Sequence, residues 1–549
     1  MIRITELSLP LGDPLATETR TALRRSILRR LQIDDSALVD FEIFKRSHDA
    51  RRKDREIAFV YIVDVTVRNE SAVLGRLTRD RNVTRAPDTS FHPPLRAHAD
   101  VDARPVVVGF GPCGLFAALL LAQGGYRPIV LERGRDVKRR TQDTWGLWRR
   151  HVLDPESNVQ FGEGGAGLFS DGKLYSQIKD PRFLGRQVMR EFVRAGAPPE
   201  IMYVNKPHIG TFRLTGVVAR LREEIIALGG EIRFETKVVD LLLDSITNGR
   251  KQIEGVVLEN GETIESRHVI LALGHSSRDT LRMLERRAVF MEAKPFAIGF
   301  RIEHPQSMID RARLGRFAGH PVIGAADYKL VHHASNGRSV YSFCMCPGGT
   351  VVAATSESGR VVTNGMSQYS RNERNANAGI VVGIDPERDF PGGPLAGVAL
   401  QENLETLAFE LGGLDYRAPA QLVGDFLACR ASTALGSVAP SYQPGIMLTD
   451  LAPSLPAEII GAIREALPAF GRQIKDFDRA DAVLTGIESR TSSPVRITRD
   501  ADSLQSLNVR GLYPGGEGAG YAGGILSAGV DGIKLAEVVA RDLRRREAA

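Results

Sequence analysis

The chain has 549 residues and a mass of 60.0 kDa, too long for one ordinary core, so two or three domains are expected. Its 43% hydrophobic and 25% charged residues are those of a globular protein and exclude a disordered or fibrous chain. A net charge of +6 is mild for this length, compatible with anionic ligands or RNA and requiring neither.

Residues 1–95 read as a small α+β, ferredoxin-like module. Met1 to Leu9 is a short strand, and Thr17 to Leu31 an amphipathic helix with Leu23, Ile27 and Leu31 on one face. Strands follow at Leu38 to Lys45 and Ile57 to Val67, separated by the basic loop HDARRKDR. The arginines of the helix and of this loop could track a phosphate backbone, which leaves RNA binding as an alternative function; interleaved acids favour a solvated basic face. A proline-containing linker, PDTSFHPPLRAHADVDARP, follows.

From Pro105 the pattern becomes α/β. A buried strand, PVVV, runs into Gly109-Phe110-Gly111-Pro112-Cys113-Gly114 and then an apolar helix. Gly109 permits the tight turn, Gly111 lets the backbone approach a pyrophosphate, and Gly114 lets helix and strand pack closely. The helix start, with Pro112 and Cys113, offers unpaired N–H groups to phosphates. The second strand ends at Glu132, 23 residues after Gly109, close to the roughly 20 expected of an acid that binds ribose hydroxyls. Arg133 adjoins it. Together these features make a Rossmann-type dinucleotide site.

Residues 103–290 and 481–549 are expected to form that domain, and 291–480, richer in strands, an inserted mixed β/α substrate domain. No CxxC pair or zinc spacing links Cys113, Cys344, Cys346 and Cys429, so no metal is expected. Few cysteines and no signal-like start fit a cytoplasmic protein, and no run reads as a membrane span.

Three further stretches resemble FAD-binding members of the glutathione-reductase-like superfamily. They are the glycine loop from Phe161 to Lys173, the strand HVILALG, and GLYPGGEGAGYAGGI near the C-terminus. The resemblance implies FAD contacts from Gly164, Gly165, Ala166, Gly167, Ser170, Asp171 and Lys173 of the loop. It implies others from Gly274 and His275 after the strand. Glu517 stands where related flavoproteins carry an acid, more often Asp, that binds the ribitol; Gly516, Gly523, Gly524 and Ile525 surround it and open the last helix. Val238 is the candidate for an adenine contact through its backbone. Longer strings, among them FGEGGAGLFSDGKL, VYSFCMCPGG and NGMSQYSRNERNANAGIVV, resemble a family of uncharacterised FAD-dependent (NAD(FAD)-utilising) dehydrogenases from end to end. That family supplies no substrate.

The flavin is therefore expected to carry the chemistry of an oxidoreductase, passing hydride through N5 to or from a small substrate for which an anion is compatible. A flavin-binding scaffold without turnover is the other alternative. Lys173 ends the glycine loop as a catalytic candidate. Arg490 and Arg496 bracket SSP and offer a fork for an anionic group. Cys344 and Cys346 alternate along a strand, which places both on one face; they are read either as buried small residues or as reactive thiols, with Cys346 the candidate. His208 and His304 rank below these as acids. With one complete fingerprint, NAD(P)H would have to reduce the flavin transiently from the substrate cleft.

Overall fold

The computed structural model describes residues 1–12, 16–50, 57–93, 96–97, 104–245 and 250–547. Most of the HDARRKDR loop and parts of the linker, residues 94–95 and 98–103, lie outside the described residues.

Near the N-terminus, strands Ile2–Pro10, Leu38–Asp49, Ala58–Val67 and Val83–Arg85 form one antiparallel sheet, with Ala58–Val67 and Ile2–Pro10 at its centre. Helix Thr17–Leu31 lays Leu23, Ile27 and Leu31 on it. The sequence pattern gave β-α-β-β; the structure adds helix Glu70–Arg76 and strand Val83–Arg85, completing a βαββαβ order. Those two elements are too short for periodicity to reveal. Two of the arginines on the first helix are engaged, Arg24 with Asp35 and Arg30 with Asp80.

The second layer is a five-stranded parallel sheet in the order Leu512–Pro514, Val269–Leu271, Val106–Val108, Ile129–Leu131, Glu231–Arg233. Helix Pro112–Gln123 is buried from Cys113 to Ala122. It has no polar face because the sheet lies on one side and the final helix, Ile525–Glu547, on the other. This is the α/β arrangement expected of a dinucleotide-binding fold. An antiparallel unit built on Val238–Ser245, Lys251–Leu258 and Thr263–Glu265 flanks it.

Between the fourth and fifth parallel strands in chain order comes an eight-stranded sheet. Its centre is Phe296–Pro305, flanked by Asn375–Ile384 and Val483–Glu488. The sequence reading gave residues from 481 onward to the nucleotide-binding half. Instead Val483–Glu488 is hydrogen-bonded inside this sheet, between Phe296–Pro305 and Ala418–Leu422. The chain returns only after it, through the two-stranded ladder of Met291–Ala293 with Val495–Ile497. Among the described residues no helix is long and apolar enough to cross a membrane.

Candidate active site

The tight turn after Val106–Val108 is built from glycine of necessity. Gly109 has φ +97°, and a Cβ there would stand 2.4 Å from the Ala272 carbonyl oxygen. Gly165, at φ +61°, would put a Cβ 2.8 Å from the Gly111 Cα. The first glycine turn and the glycine loop therefore touch main chain to main chain, a separation only hydrogen side chains allow. Gly111 caps the helix that Pro112 opens, so the helix N-terminus faces the same space. Two predicted glycines stand behind this surface. Gly114 packs on Gly109 and Val107, and Gly164 on Leu168 and Val218.

At one end of the space, Glu132 is 5% exposed and its carboxylate is already engaged. Oε2 accepts from the Phe110 N–H at 2.8 Å, and Oε1 accepts from Gly134 and Gly162, each at 2.9 Å. The sequence reading held this acid open for ribose hydroxyls; the structure leaves mainly Oε2, with one bond, for that purpose. Arg133 lies over the Phe161 ring, 4.1 Å from its centroid, and pairs with Glu156 and Asp279. Lys237 joins the same two acids. Burial works against the charge on Asp279, but Arg133 and Lys237 hold its carboxyl down to about 2.

From Glu132 and Val238 a single cavity of about 980 Å³ runs past Gly109 to Cys113, Gly274 to Ser277 and Gly515 to Glu517. It reaches Gly167, Ser170, Lys173 and Tyr175 on one wall and Tyr341 to Met345 on another. Gly523, Gly524 and Ile525, at the start of the final helix, also line it. His275 is 9% exposed; its Nδ1 lies 3.6 Å from Glu517 Oε1, and its Nε2 is buried without a partner among the described residues.

The far end is strongly charged. The Lys173 ammonium donates to the Met345 carbonyl and lies 3.9 Å from Asp171, which itself pairs with Arg371. Burial opposes the charge on Lys173, yet the negative charge of an ionised Cys344 together with Asp171 raises it above the ordinary lysine range. Arg301 holds Glu488 through Nε at 2.9 Å and Nη2 at 2.7 Å, and donates Nη1 to the Cys344 carbonyl at 3.0 Å. Burial pushes the Glu488 carboxyl up despite this arginine.

Over 538 residues, 98% of each chain, the sequence is 49% identical to an uncharacterized protein of Clostridium beijerinckii. The chain belongs to that protein's family. Residues 295–491 match the family model described as FAD-dependent protein, C-terminal domain-like, and residues 1–66 match a domain of unknown function. This is a flavoprotein, and FAD is its cofactor. Among solved structures it is similar to CtdE in complex with FAD, at 14% identity over 80% of this chain and 84% of that one, with a TM-score of 0.29. A second is glycine oxidase from Geobacillus kaustophilus, at 12% identity over 80% and 95% of the two chains, with a TM-score of 0.33.

The cavity of this FAD-dependent family member suits that cofactor. It is elongated, its middle is main chain rather than side chain, and His275 Nε2 is a buried polar atom that a ligand would satisfy. Cofactor candidates lining it include Gly109, Gly111, Pro112, Cys113, Arg133 and Val238. Gly165, Ala166, Asp171, Gly274, His275 and Gly516 line it as well.

The catalytic candidates divide. Lys173 is on the wall. Cys346 is not: it is fully buried, and its thiol donates to the Cys344 carbonyl at 3.3 Å. The register shifts between Phe343 and Cys346, where Cys344 takes φ +42°. This bulge breaks the alternation that would have put both thiols on one face, and Cys344 alone of the two lines the cavity. The proposed arginine fork does not exist. Arg490 reaches the cavity wall, but its guanidinium is spent on buried Glu405, at 2.9 and 2.7 Å, and on Ser276 and Ser356. Arg496 projects from the Val495–Ile497 strand as an exposed residue, its guanidinium 5.7 Å from the Tyr521 ring centroid. His304 is buried against the Phe477 carbonyl and the Phe477 ring, and His208 stacks on Tyr369; neither lines the cavity. Sequence reasoning missed Cys344 as the exposed member of its pair, and it missed Glu488, Arg301 and Ser276. The one available signal was a charge inside an apolar strand, as in FAIGFRIEH and TGIES.

Proposed function

We propose that the protein is an FAD-dependent oxidoreductase acting on a small organic substrate, in the manner of the FAD-dependent dehydrogenases and the glutathione-reductase-like superfamily its sequence resembles. The observation that carries this reading is the continuity of one cavity from Glu132 and Val238 to Lys173, Tyr175 and Cys344. It extends beyond what a dinucleotide anchor requires and ends among titratable side chains.

In this reading Glu132 and the Val238 backbone hold the adenosine, and the Gly109–Gly114 turn with Gly165 holds the pyrophosphate at a helix N-terminus. Glu517 and Gly516 would hold the ribitol, and the start of the final helix would lend its positive dipole end to the flavin. Bound there, the flavin supplies reversible two-electron chemistry as a hydride acceptor and donor. The chain's own work is to orient the substrate and manage its charge and protons. Lys173 places a positive charge at the substrate end. Lys45, Lys206 and Lys329 line the same opening, offset by Asp327, a balance that favours an anionic substrate. With one complete dinucleotide fingerprint, a reducing nicotinamide would dock transiently in this same cleft.

Anaerobic mixing of the yellow protein with NADH, NADPH and a panel of small carboxylates tests the reading. Bleaching of the flavin band by at least one of them is expected. Retention of full colour with all of them, while dithionite bleaches it, would contradict a dehydrogenase.

A further inference from the structure

The bulge in strand Ser339–Ala353 turns one thiol of a pair toward the cavity and fixes it there. Cys344 is half-buried on the cavity wall, while its neighbour Cys346 is sealed in the sheet. Two donors hold the Cys344 carbonyl, Arg301 Nη1 at 3.0 Å and the Cys346 thiol at 3.3 Å. Lys173 bonds the very next carbonyl, that of Met345, and its charge acts on the Cys344 thiol. Tyr328 lines the same cavity, 5% exposed, and its hydroxyl is buried with no partner among the described residues. This is a polar atom left for a ligand to satisfy.

We propose that Cys344 is the reactive thiol of this cavity, a nucleophile for conjugated carbonyl compounds with Lys173 as the adjacent acid. A cation beside a thiol matches such a ligand, whose oxygen gathers negative charge as its β carbon is attacked. Cys344 releases its thiol proton to solvent and its sulfur forms a bond to the β carbon. The C=C π pair moves toward the carbonyl as an enolate, the α carbon takes a proton from the Lys173 ammonium, and solvent returns a proton to the lysine. No oxidant or reductant is consumed.

The charges facing the thiol come from every packed element. They are Lys173 and Asp171 of the glycine loop, Arg301 of the central strand, Glu488 of its neighbour, and Tyr175. Asp171 is occupied by Arg371 and Glu488 by Arg301, while Lys173 holds the Met345 carbonyl and stands 3.9 Å from Asp171. The neighbouring Cys346 side chain first, and then Lys173 and Arg301, hold the Cys344 thiol well below its ordinary value against burial. Cys346 is pushed the other way by the Cys344 side chain and by burial.

The inference takes this cavity as the active site, but its test does not depend on turnover, so the two can fail separately. Holoprotein is treated with N-ethylmaleimide at pH 6 and at pH 9, and each cysteine is followed by peptide mass spectrometry. Cys429, exposed, is the reference thiol within the same sample. Cys344 is expected to label about tenfold faster than Cys429 at pH 6, a lead that narrows at pH 9, where an ordinary thiol also ionises. Lys173→Met is expected to shrink the lead at pH 6. Labelling of Cys344 no faster than Cys429 at pH 6, or labelling of Cys346 in its place, would overturn the proposal.

Discussion

Gly109 and Arg490 illustrate two kinds of residue that shape this cavity, one through main-chain geometry and one through buried charge. Any side chain at Gly109 meets both a positive φ and the Ala272 carbonyl. Gly109→Ala should therefore cost about 2 kcal/mol or more and lower the flavin-to-protein absorbance ratio of the purified protein. Arg490 shares Glu405 with Arg278 in a cluster with no exposure at the carboxylate. Burial opposes ionisation there, yet the two arginines hold the Glu405 carboxyl far below its usual range. Arg490→Met should destabilise by about 3 kcal/mol, because it removes one of the charges that offset the buried carboxylate. Arg496→Ala should stay within about 0.5 kcal/mol. Paired thermal melts decide between this contrast and the equal roles a fork would give them. The glycines were legible in the sequence because their spacing encodes a backbone shape. The Arg490 partnership was not, since Glu405 lies 85 positions away on a helix whose sequence looks ordinary.

At the scale of elements, alternation and periodicity located the long strands and helices and failed where the backbone departs from them. The bulge at Cys344 and Met345 parts two thiols that alternation would place on one face, and no residue in YSFCMCPGG announces it. Val483–Glu488 is apolar and short, so its sequence fits a strand of either sheet; only its ladder with Phe296–Pro305 assigns it. That central strand also carries His304, whose Nε2 bonds the Phe477 carbonyl at 2.6 Å while Nδ1 is buried without a partner among the described residues. Burial pushes this histidine down to about 4. Its folded value is thus below its unfolded one, about 6.5. The stability it contributes is fully present above pH 6.5 and is lost as the pH falls toward 4. The melting temperature should accordingly drop across that window, and His304→Gln should flatten this part of the profile. An unchanged slope in the variant would show that other groups set it.

For the whole molecule, the N-terminal βαββαβ unit is a wall of the cavity as well as an appendage. Its strand Leu38–Asp49 bridges to Val204, with Arg46 N–H donating to the Tyr203 carbonyl at 2.6 Å, and the adjacent Lys45 lines the cavity. Lys45→Glu should weaken binding of small carboxylates, read as a several-fold rise in the concentration that perturbs the flavin spectrum, while leaving flavin content unchanged. The sequence marked this unit as separate, and nothing in it signalled contact with a cavity whose other walls begin only at Val108. The central claim is that FAD lies along this cavity with its adenine near Glu132 and Val238 and its ring beside Lys173 and Cys344. A crystal structure of the FAD complex tests it most directly. Ring density within contact of Lys173 and Cys344 is the predicted result; a ring at the Glu132 end, or FAD bound elsewhere on the chain, would contradict it.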